Sequence, residues 1–559
     1  MPRTTSTENK DLKIALTFSG GGYRASSFSL GALTYLDRVD LQGASLLEKV
    51  HVLSTVSGGT ITGIRYTQGI QRGESLDQIF KDLCSFMREV DLLSSSIENL
   101  ASKERWTGKR IASLINAIAD VYDELLFKGG TFGELVDPKN PIHLKHFSFN
   151  AVDFRNALQF RFQQSETLLD PKENEPLKGI IGNYYLRVPE VMAKDIRLAD
   201  ILAASTCFPG GFEPINFPGD FGLPESEELR TYIKNTGDSV GLMDGGMVDN
   251  QGIEPVLLAN TRMKRNLKST DPAYNVADNA LDLILICDVS SPYMEEYESA
   301  DQKELNWWRK LTPKKIQISV VLIALVGAIL AAGSIALKNT TLTVAFTVLT
   351  TMGISGLLIF RYILSLPGRF NVPKSFLQPL GKLLKLRLLV YETMVMNRAN
   401  SLLKMVNDVF TKHIRRLNYG MIWGDESWNN RRIMNAVYEL RPGERKLKEK
   451  IDSGRISSRM KPSDKIQNVA MKASEMKTTL WFTKDELEPH DKLDSLIACG
   501  QFTTCWNLIE YIEKIEDDST NTNAALNELV KCKDVLFDHW EQFQEDPFWL
   551  LDDFKRKGN

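Results

Sequence analysis

No two cysteines of this chain form a Cys-x-x-Cys pair. The six stand apart, at Cys84, Cys207, Cys287, Cys499, Cys505 and Cys532. That spacing excludes a metal-type cysteine cluster, and free thiols in a reducing compartment are the simplest reading. An excess of charge of one sign is also missing. Lys and Arg number 68 against 71 Asp and Glu, a net charge of −3, so the charge balance gives no reason to expect nucleic acid as a partner. Met1 to Lys10 is polar and lacks the apolar stretch of a secretory signal, so none is expected. His143 and His146 form a close pair, but no carboxylate or cysteine cluster accompanies them. Packing rather than metal binding is expected there. What remains is globular material, 43% hydrophobic and 25% charged over 559 residues, enough for two or three units.

The richest stretch runs from Lys13 to Gly63. A strand-like run, Lys13 to Phe18, leads into Ser19-Gly20-Gly21-Gly22-Tyr23-Arg24-Ala25, and a helical pattern follows through Phe28, Leu30, Leu33, Leu36 and Val39. A second apolar run, Val50 to Leu53, ends in Ser54-Thr55-Val56-Ser57-Gly58-Gly59. Two strand-turn-helix units fit this pattern, and open α/β sheets place their sites at the carboxyl ends of such strands. The second turn is similar to a nucleophile elbow, Gly-x-Ser-x-Gly, with Thr55 where the first glycine stands. Three glycines in the first turn let backbone N–H groups converge beside a helix N-terminus, as an oxyanion requires. Either turn alone also fits an ordinary role, a phosphate loop or a helix cap.

Gly63 to Val136 reads as mostly helical, as a cap over the sheet or as core helices. Phe147 to Phe162 reads as paired strands turning near Asn156-Ala157. Arg197 to Gly211 reads as a short small-residue helix ended by Pro209-Gly210-Gly211, and Val240 to Asp244 as a strand leading into Gly245-Gly246. Leu281 to Val289 has the apolar composition of a buried strand.

Ser19-Gly20-Gly21-Gly22-Tyr23-Arg24, the Ser57 turn, Ala203-Ala204-Ser205 with Phe208-Pro209, and Asp244-Gly245-Gly246 occur in that order. Together they resemble the patatin-like phospholipase family, larger bacterial-type members included, over about half of the chain. The opening loop also resembles cytosolic phospholipase A2. The resemblance implies an α/β fold, a patatin-like sheet flanked by helices, with a Ser–Asp dyad. It implies Ser57 as nucleophile, Asp244 as the activating acid, and Gly20, Gly21 and Gly22 as the oxyanion hole. Arg24, Gly58, Gly59, Gly245 and Gly246 stand in supporting positions. Departures are Ser19 for an aspartate, Ala25 for a glycine, and Thr55 for the first elbow glycine. A desolvated carboxylate can take the serine proton without a histidine. Asp249 is the nearby competitor for that role. A hidden triad through His413, His490 or His539 is the rival mechanism, while His51 lies on the run leading into Ser57 and is badly placed. No metal or cofactor is implied.

Ile316 to Leu337 is an uncharged run of 22 residues, about 33 Å as a helix. Lys338-Asn339 interrupts it, and Thr340 to Phe360 is a second uncharged run, richer in threonine. A transmembrane hairpin is expected. Gly327 and Ala331, and Ala332 and Ala336, sit four apart and suit close helix approach, including a homo-oligomer through the hairpin. Trp307-Trp308-Arg309-Lys310 and Lys314-Lys315 precede the pair, and Arg361, Arg369 and Lys374 follow it. The positive-inside bias then puts the catalytic part and both termini in the cytoplasm.

Beyond the hairpin, Leu380 to Leu417 reads as long helix, Tyr419 to Gly424 as a strand, Arg441 to Lys477 as a solvated loop, and Ser495 to Ile512 as helix. The expected organisation is a catalytic core over 1–300, the hairpin region over 301–374, a second part of the catalytic fold over 375–512, and a charged aromatic tail over 513–559. The hairpin would thus be inserted in the catalytic fold. Membrane phospholipid is the expected substrate and the bilayer the expected partner. A neutral-lipid or other ester hydrolase, and a membrane scaffold without activity, are the competing readings.

Overall fold

In a computed structural model of the chain, the described residues are 11–557, apart from 107–109, 138, 166–180, 238, 265–279, 291–296, 298–305, 370–383, 489–490 and 518–522. They form two compact units. One comprises Met1–Tyr293 and Phe410–Asn559, the other Met294–Val409.

The first unit is built on a mixed sheet of ten strands. In chain order these are β1 Ile14–Phe18, β2 Val50–Val56, β3 His146–Asp153, β4 Leu158–Ser165, β5 Ile181–Gly182, β6 Arg187–Val188, β7 Ile215–Phe217, β8 Val240–Asp244, β9 Leu283–Asp288 and β10 Arg432–Ala436. They lie in the order β10-β9-β1-β2-β3-β4-β5-β6, with β8 pairing β3 and β7. From β10 to β3 the neighbours are parallel, and from β3 to β6 they are antiparallel. Every residue of β1 and β9 is buried, which accounts for their nearly unbroken apolar sequence.

Helices cover both faces. α1 (Gly22–Arg38) follows β1, α2 (Gly58–Gln71) follows β2, α3 (Leu198–Thr206) precedes β7, and α4 (Ile253–Lys264) precedes β9. The expected helical region after α2 holds Leu76–Glu89, Leu92–Ala101 and Leu114–Tyr122.

The sheet itself brings the elbow and the acid together. On one edge of β3, β2 pairs from Val52↔His146 to Val56↔Asn150. The same edge is then taken over by β8, running the opposite way, from Asp153↔Leu242 to Ala151↔Asp244. β2 and β8 therefore lie end to end with their carboxyl ends meeting. Ser57, one residue past β2, faces Asp244, the last residue of β8.

In the second unit, α5 (Pro313–Ala336) and α6 (Thr340–Arg369) form a helical hairpin. A Cβ on Gly327 would lie 2.9 Å from the Thr350 amide, and one on Gly353 2.8 Å from that of Ala324. The two glycines thus let the backbones touch. Ser334 Oγ and Thr343 Oγ1 share a hydrogen bond of 2.9 Å near the turn. Outward faces carry Ile329, Leu330, Ile335, Val344, Leu358 and Ile359, all exposed. Pro313–Ala336 and Thr340–Ile359 are long and apolar enough to cross a membrane.

The chain after the hairpin differs from expectation in three places. Tyr419 to Gly424 is not a strand; it ends the helix α7, Thr411–Trp423. Arg415, Asn418 and Ile422 are its buried residues, a helical spacing that a short aromatic run disguised. The late strand is β10, whose Asn435 and Ala436 are buried. Arg441 to Lys477 is not a solvated loop. It contains Arg445–Asp452 and α8 (Asp464–Ser474), whose Ile466, Val469, Ala470 and Ala473 are buried. The expected tail continues α9 (Lys492–Asp517) into α10 (Lys533–Glu545), which buries Trp540 and Phe543, and Trp549–Lys557. α9 crosses α1 at two glycines: a Cβ on Gly31 would meet Ile497 O at 2.1 Å, and one on Gly500 would meet Phe28 O at 2.1 Å. The start of the expected helix over Leu380 to Leu417 lies outside the described residues, and Leu388–Lys404 is helical.

Candidate active site

Ser57 sits at φ 50 and ψ −125, immediately before α2. A serine rarely holds a positive φ, and such strain needs neighbours that fix it. They are present. The Ser57 N–H donates to Ser205 Oγ at 2.9 Å, and that hydroxyl donates in turn to Asn150 O at 2.7 Å. Ser205 is thus the residue of the Ala-Ala-Ser stretch that pins the elbow, and α3 exists to present it. Glycines follow because there is no room for more. A Cβ on Gly58 would lie 2.0 Å from Gly22 O, and one on Gly59 2.7 Å from Ser19 O. Thr55 fits where a glycine was expected. Its methyl occupies the space beside Gly63, and its hydroxyl donates to Thr60 Oγ1 at 3.0 Å.

Ser57 Oγ donates to Asp244 Oδ2 at 2.6 Å. The other carboxylate oxygen accepts from the Gly246 N–H at 2.7 Å. Asp244 is buried, and burial pushes its carboxyl up to about 6, against the pull of these two hydrogen bonds. A base so placed is ionised at neutral pH and still able to hold a proton briefly. Gly245 is a glycine because a Cβ there would meet Asn150 O at 2.4 Å.

Asp249 is buried too and is likewise pushed up to about 6 by burial. Its oxygens are otherwise engaged. Oδ2 accepts from Glu254 N at 2.7 Å, at the start of α4, and Oδ1 accepts from Asn418 Nδ2 at 3.1 Å. Among the described residues no histidine is hydrogen-bonded to Ser57 or Asp244. His51 turns to Lys49 O, His539 packs on Tyr35, His413 is exposed on α7, and His490 lies outside the described residues.

The glycine loop stands beside the elbow, with Gly58 against the backbone of Gly22. Its three amides are not equivalent. Gly20 donates its N–H to Asn250 O at 3.0 Å, so that amide is spent, which corrects the expectation of three oxyanion donors. Gly20 serves instead as a point of close approach, since a Cβ there would lie 3.1 Å from the Ser57 Cβ. Gly21 and Gly22 stand at φ 144 and 59, conformations that favour glycine. Arg24 points away from the dyad. Its guanidinium is buried, donates to Met476 O at 2.8 Å and to Val289 O, and is pushed down by burial to about 10. It ties the glycine loop to the end of β9 and to the segment after α8.

Sequence reasoning missed the support behind the acid. On α7, Asn418 Nδ2 reaches both Val248 O at 3.1 Å and Asp249 Oδ1, while Arg415 Nε and the Tyr419 hydroxyl donate to Asp288 Oδ2 at 2.8 and 2.7 Å. These three residues are spaced as neighbours on a helix face: Asn418 braces the turn that follows Asp244, and Arg415 and Tyr419 hold the end of β9. The spacing is visible in the sequence once Tyr419 to Gly424 is read as helix.

Ser57 thus stands buried on a strained strand-to-helix turn, bonded to a desolvated carboxylate and beside the glycine loop. Residues 16–257 match the family model of the patatin-like phospholipases, and the chain carries a domain of that family there. Among solved structures it is similar to human GIVD cytosolic phospholipase A2, at 14% identity and a TM-score of 0.32, over 51% of this chain and 47% of that one. The chain thus spans less than half the length of that structure. No curated protein matches it.

Proposed function

We propose that this protein is a membrane-anchored phospholipase A or lysophospholipase that cleaves lipid esters with a Ser57–Asp244 dyad. The observation that carries the reading is the 2.6 Å bond from Ser57 Oγ to a carboxylate held near pKa 6 by burial. Ser57 attacks the ester carbonyl as its proton passes to Asp244, and the Gly21 and Gly22 amides receive the oxyanion. Collapse of the tetrahedral intermediate expels the alcohol, which takes the proton from Asp244. Water, deprotonated by the same carboxylate, then attacks the acyl-serine and restores Ser57 while fatty acid leaves. The two apolar helices anchor the chain, with the catalytic part on the cytoplasmic side by the basic residues at both ends of the hairpin. Self-association through the hairpin belongs to the same proposal.

The test is hydrolysis of lysophosphatidylcholine, phosphatidylcholine and triacylglycerol by the purified full chain. Release of fatty acid from the first two, lost by at least a thousandfold in Ser57→Ala, is the expected result. Preference for triacylglycerol would favour the neutral-lipid reading, and no release from any of them would favour the scaffold.

A further inference from the structure

β3 does not stop where β2 stops. It continues from Asn150, level with Val56, to Asp153 before it turns. At ~3.3 Å per residue the turn around Phe154 stands about 10 Å beyond Ala151, the residue paired with Asp244. It rises on the side of the sheet where β2 delivers Ser57. Phe154 is 66% exposed there.

A second turn stands beside the first, between β5 and β6, and carries Tyr184 and Tyr185 at 80% and 66% exposure. Their rings meet edge to face, 5.1 Å apart. Both turns are rigidly built. Asp153 Oδ1 accepts from the amides of Arg155 and Asn156 at 2.9 and 3.0 Å. Asn183 Oδ1 accepts from those of Tyr185 and Leu186, both at 2.9 Å. The buried Asn183 Nδ2 and Asp153 Oδ2 then join the two turns at 2.9 Å. Gly182, at φ 131, lets the second turn close where a Cβ would run into Leu186 O.

Single exposed apolar residues need no explanation, but here three large rings stand exposed on two turns joined by a buried hydrogen bond. Arg155, in the first turn, and Arg187, the first residue of β6, are exposed. Aromatic rings with arginines suit the boundary of an anionic bilayer, where rings enter the headgroup layer and guanidinium groups meet phosphate.

We propose that Phe154, Tyr184 and Tyr185, with Arg155 and Arg187, dock the catalytic unit onto an anionic phospholipid surface at the end of the sheet where β2 delivers Ser57. The inference rests on the lipid-hydrolase reading for its purpose, and its geometry stands apart from the dyad. Charge complementarity selects an anionic bilayer over a protein partner or a second copy.

The test places an environment-sensitive fluorophore on Tyr184→Cys in the full chain, reconstituted in nanodiscs with and without phosphatidylserine. A matched label on Glu48→Cys, at the amino end of β2, is the control. Quenching by headgroup-region spin-labelled lipid at position 184, at least threefold stronger than at 48 and increased by phosphatidylserine, is expected. Equal quenching at the two positions overturns the proposal, as does protection of position 184 that persists without lipid and depends on protein concentration. A second arm compares Phe154→Ser/Tyr184→Ser/Tyr185→Ser with the unaltered chain. The ratio of activity on anionic vesicles to activity on dispersed lysophospholipid should fall about tenfold, and an unchanged ratio contradicts docking. An unaltered chain without any hydrolysis would remove the lipase reading while the quenching still decides the docking.

Discussion

Ser57 and Asp244 owe their properties to neighbours that do no chemistry. Ser205 holds the amide of one, and the Gly246 N–H aims the carboxylate of the other. Burial sets the working range. In the proposed dyad Asp244 must be ionised to accept the serine proton, and burial pushes its carboxyl up to about 6. Activity should therefore fall about tenfold per pH unit below pH 6 and level off above it, as a pH profile of kcat/KM on dispersed lysophospholipid will record. Asp244→Asn should lose at least a hundredfold, because an amide cannot take the proton. Asp249→Asn should stay within about tenfold and lower the melting temperature instead, since Asp249 accepts from Glu254 N and Asn418 Nδ2. The opposite ranking of the two variants would move the acid to Asp249. Asp244 ends β8 and Asp249 lies just beyond it, and the sequence separates them only by resemblance. Their hydrogen-bond partners separate them by geometry.

At the scale of elements, local patterns were legible wherever one segment determined its own state. The β1 loop, the β2 elbow and the helix ending near Pro209 follow from glycines, serine and apolar period alone. The end-to-end meeting of β2 and β8 on β3 was not legible, because it depends on pairing between residues about a hundred positions apart. α7 was misread because Tyr419, Ile422 and Trp423 fit a short strand as well as a helix, and the deciding contacts, Asn418 with Asp249 and Arg415 with Asp288, are distant in sequence. The spent amide of Gly20 is another such case, since its acceptor is Asn250. The hairpin is the element most open to test by removal. Replacing Ile316–Phe360 with a short polar linker should release the chain from carbonate-washed membranes into the soluble fraction. Unchanged sedimentation would mean that these helices are not the anchor.

At the scale of the molecule, the sheet and its cover draw on both ends of the chain. β10 pairs with β9 through Ile284↔Arg432 to Asp288↔Ala436, and α9 lies against α1 at Gly31 and Gly500. Large residues from this region, Trp506 and Trp540, are fully buried. A fragment of residues 1–300 would expose one edge of β9 and the α9-facing side of α1, so it should be insoluble or inactive. A soluble, cooperatively melting and fully active fragment would make the C-terminal half a separate domain. A chain that lacks only the hairpin should keep its hydrolysis of dispersed lysophospholipid.

Covalent labelling reads directly whether Ser57 is the activated nucleophile proposed. The full chain, reconstituted in lipid, is treated with a long-chain fluorophosphonate and digested, and the adduct is located by mass spectrometry. A single adduct on Ser57, formed at a rate that falls at least a hundredfold in Asp244→Asn, is the predicted result. An active enzyme labelled at another residue, or labelled at Ser57 equally fast without Asp244, would contradict it.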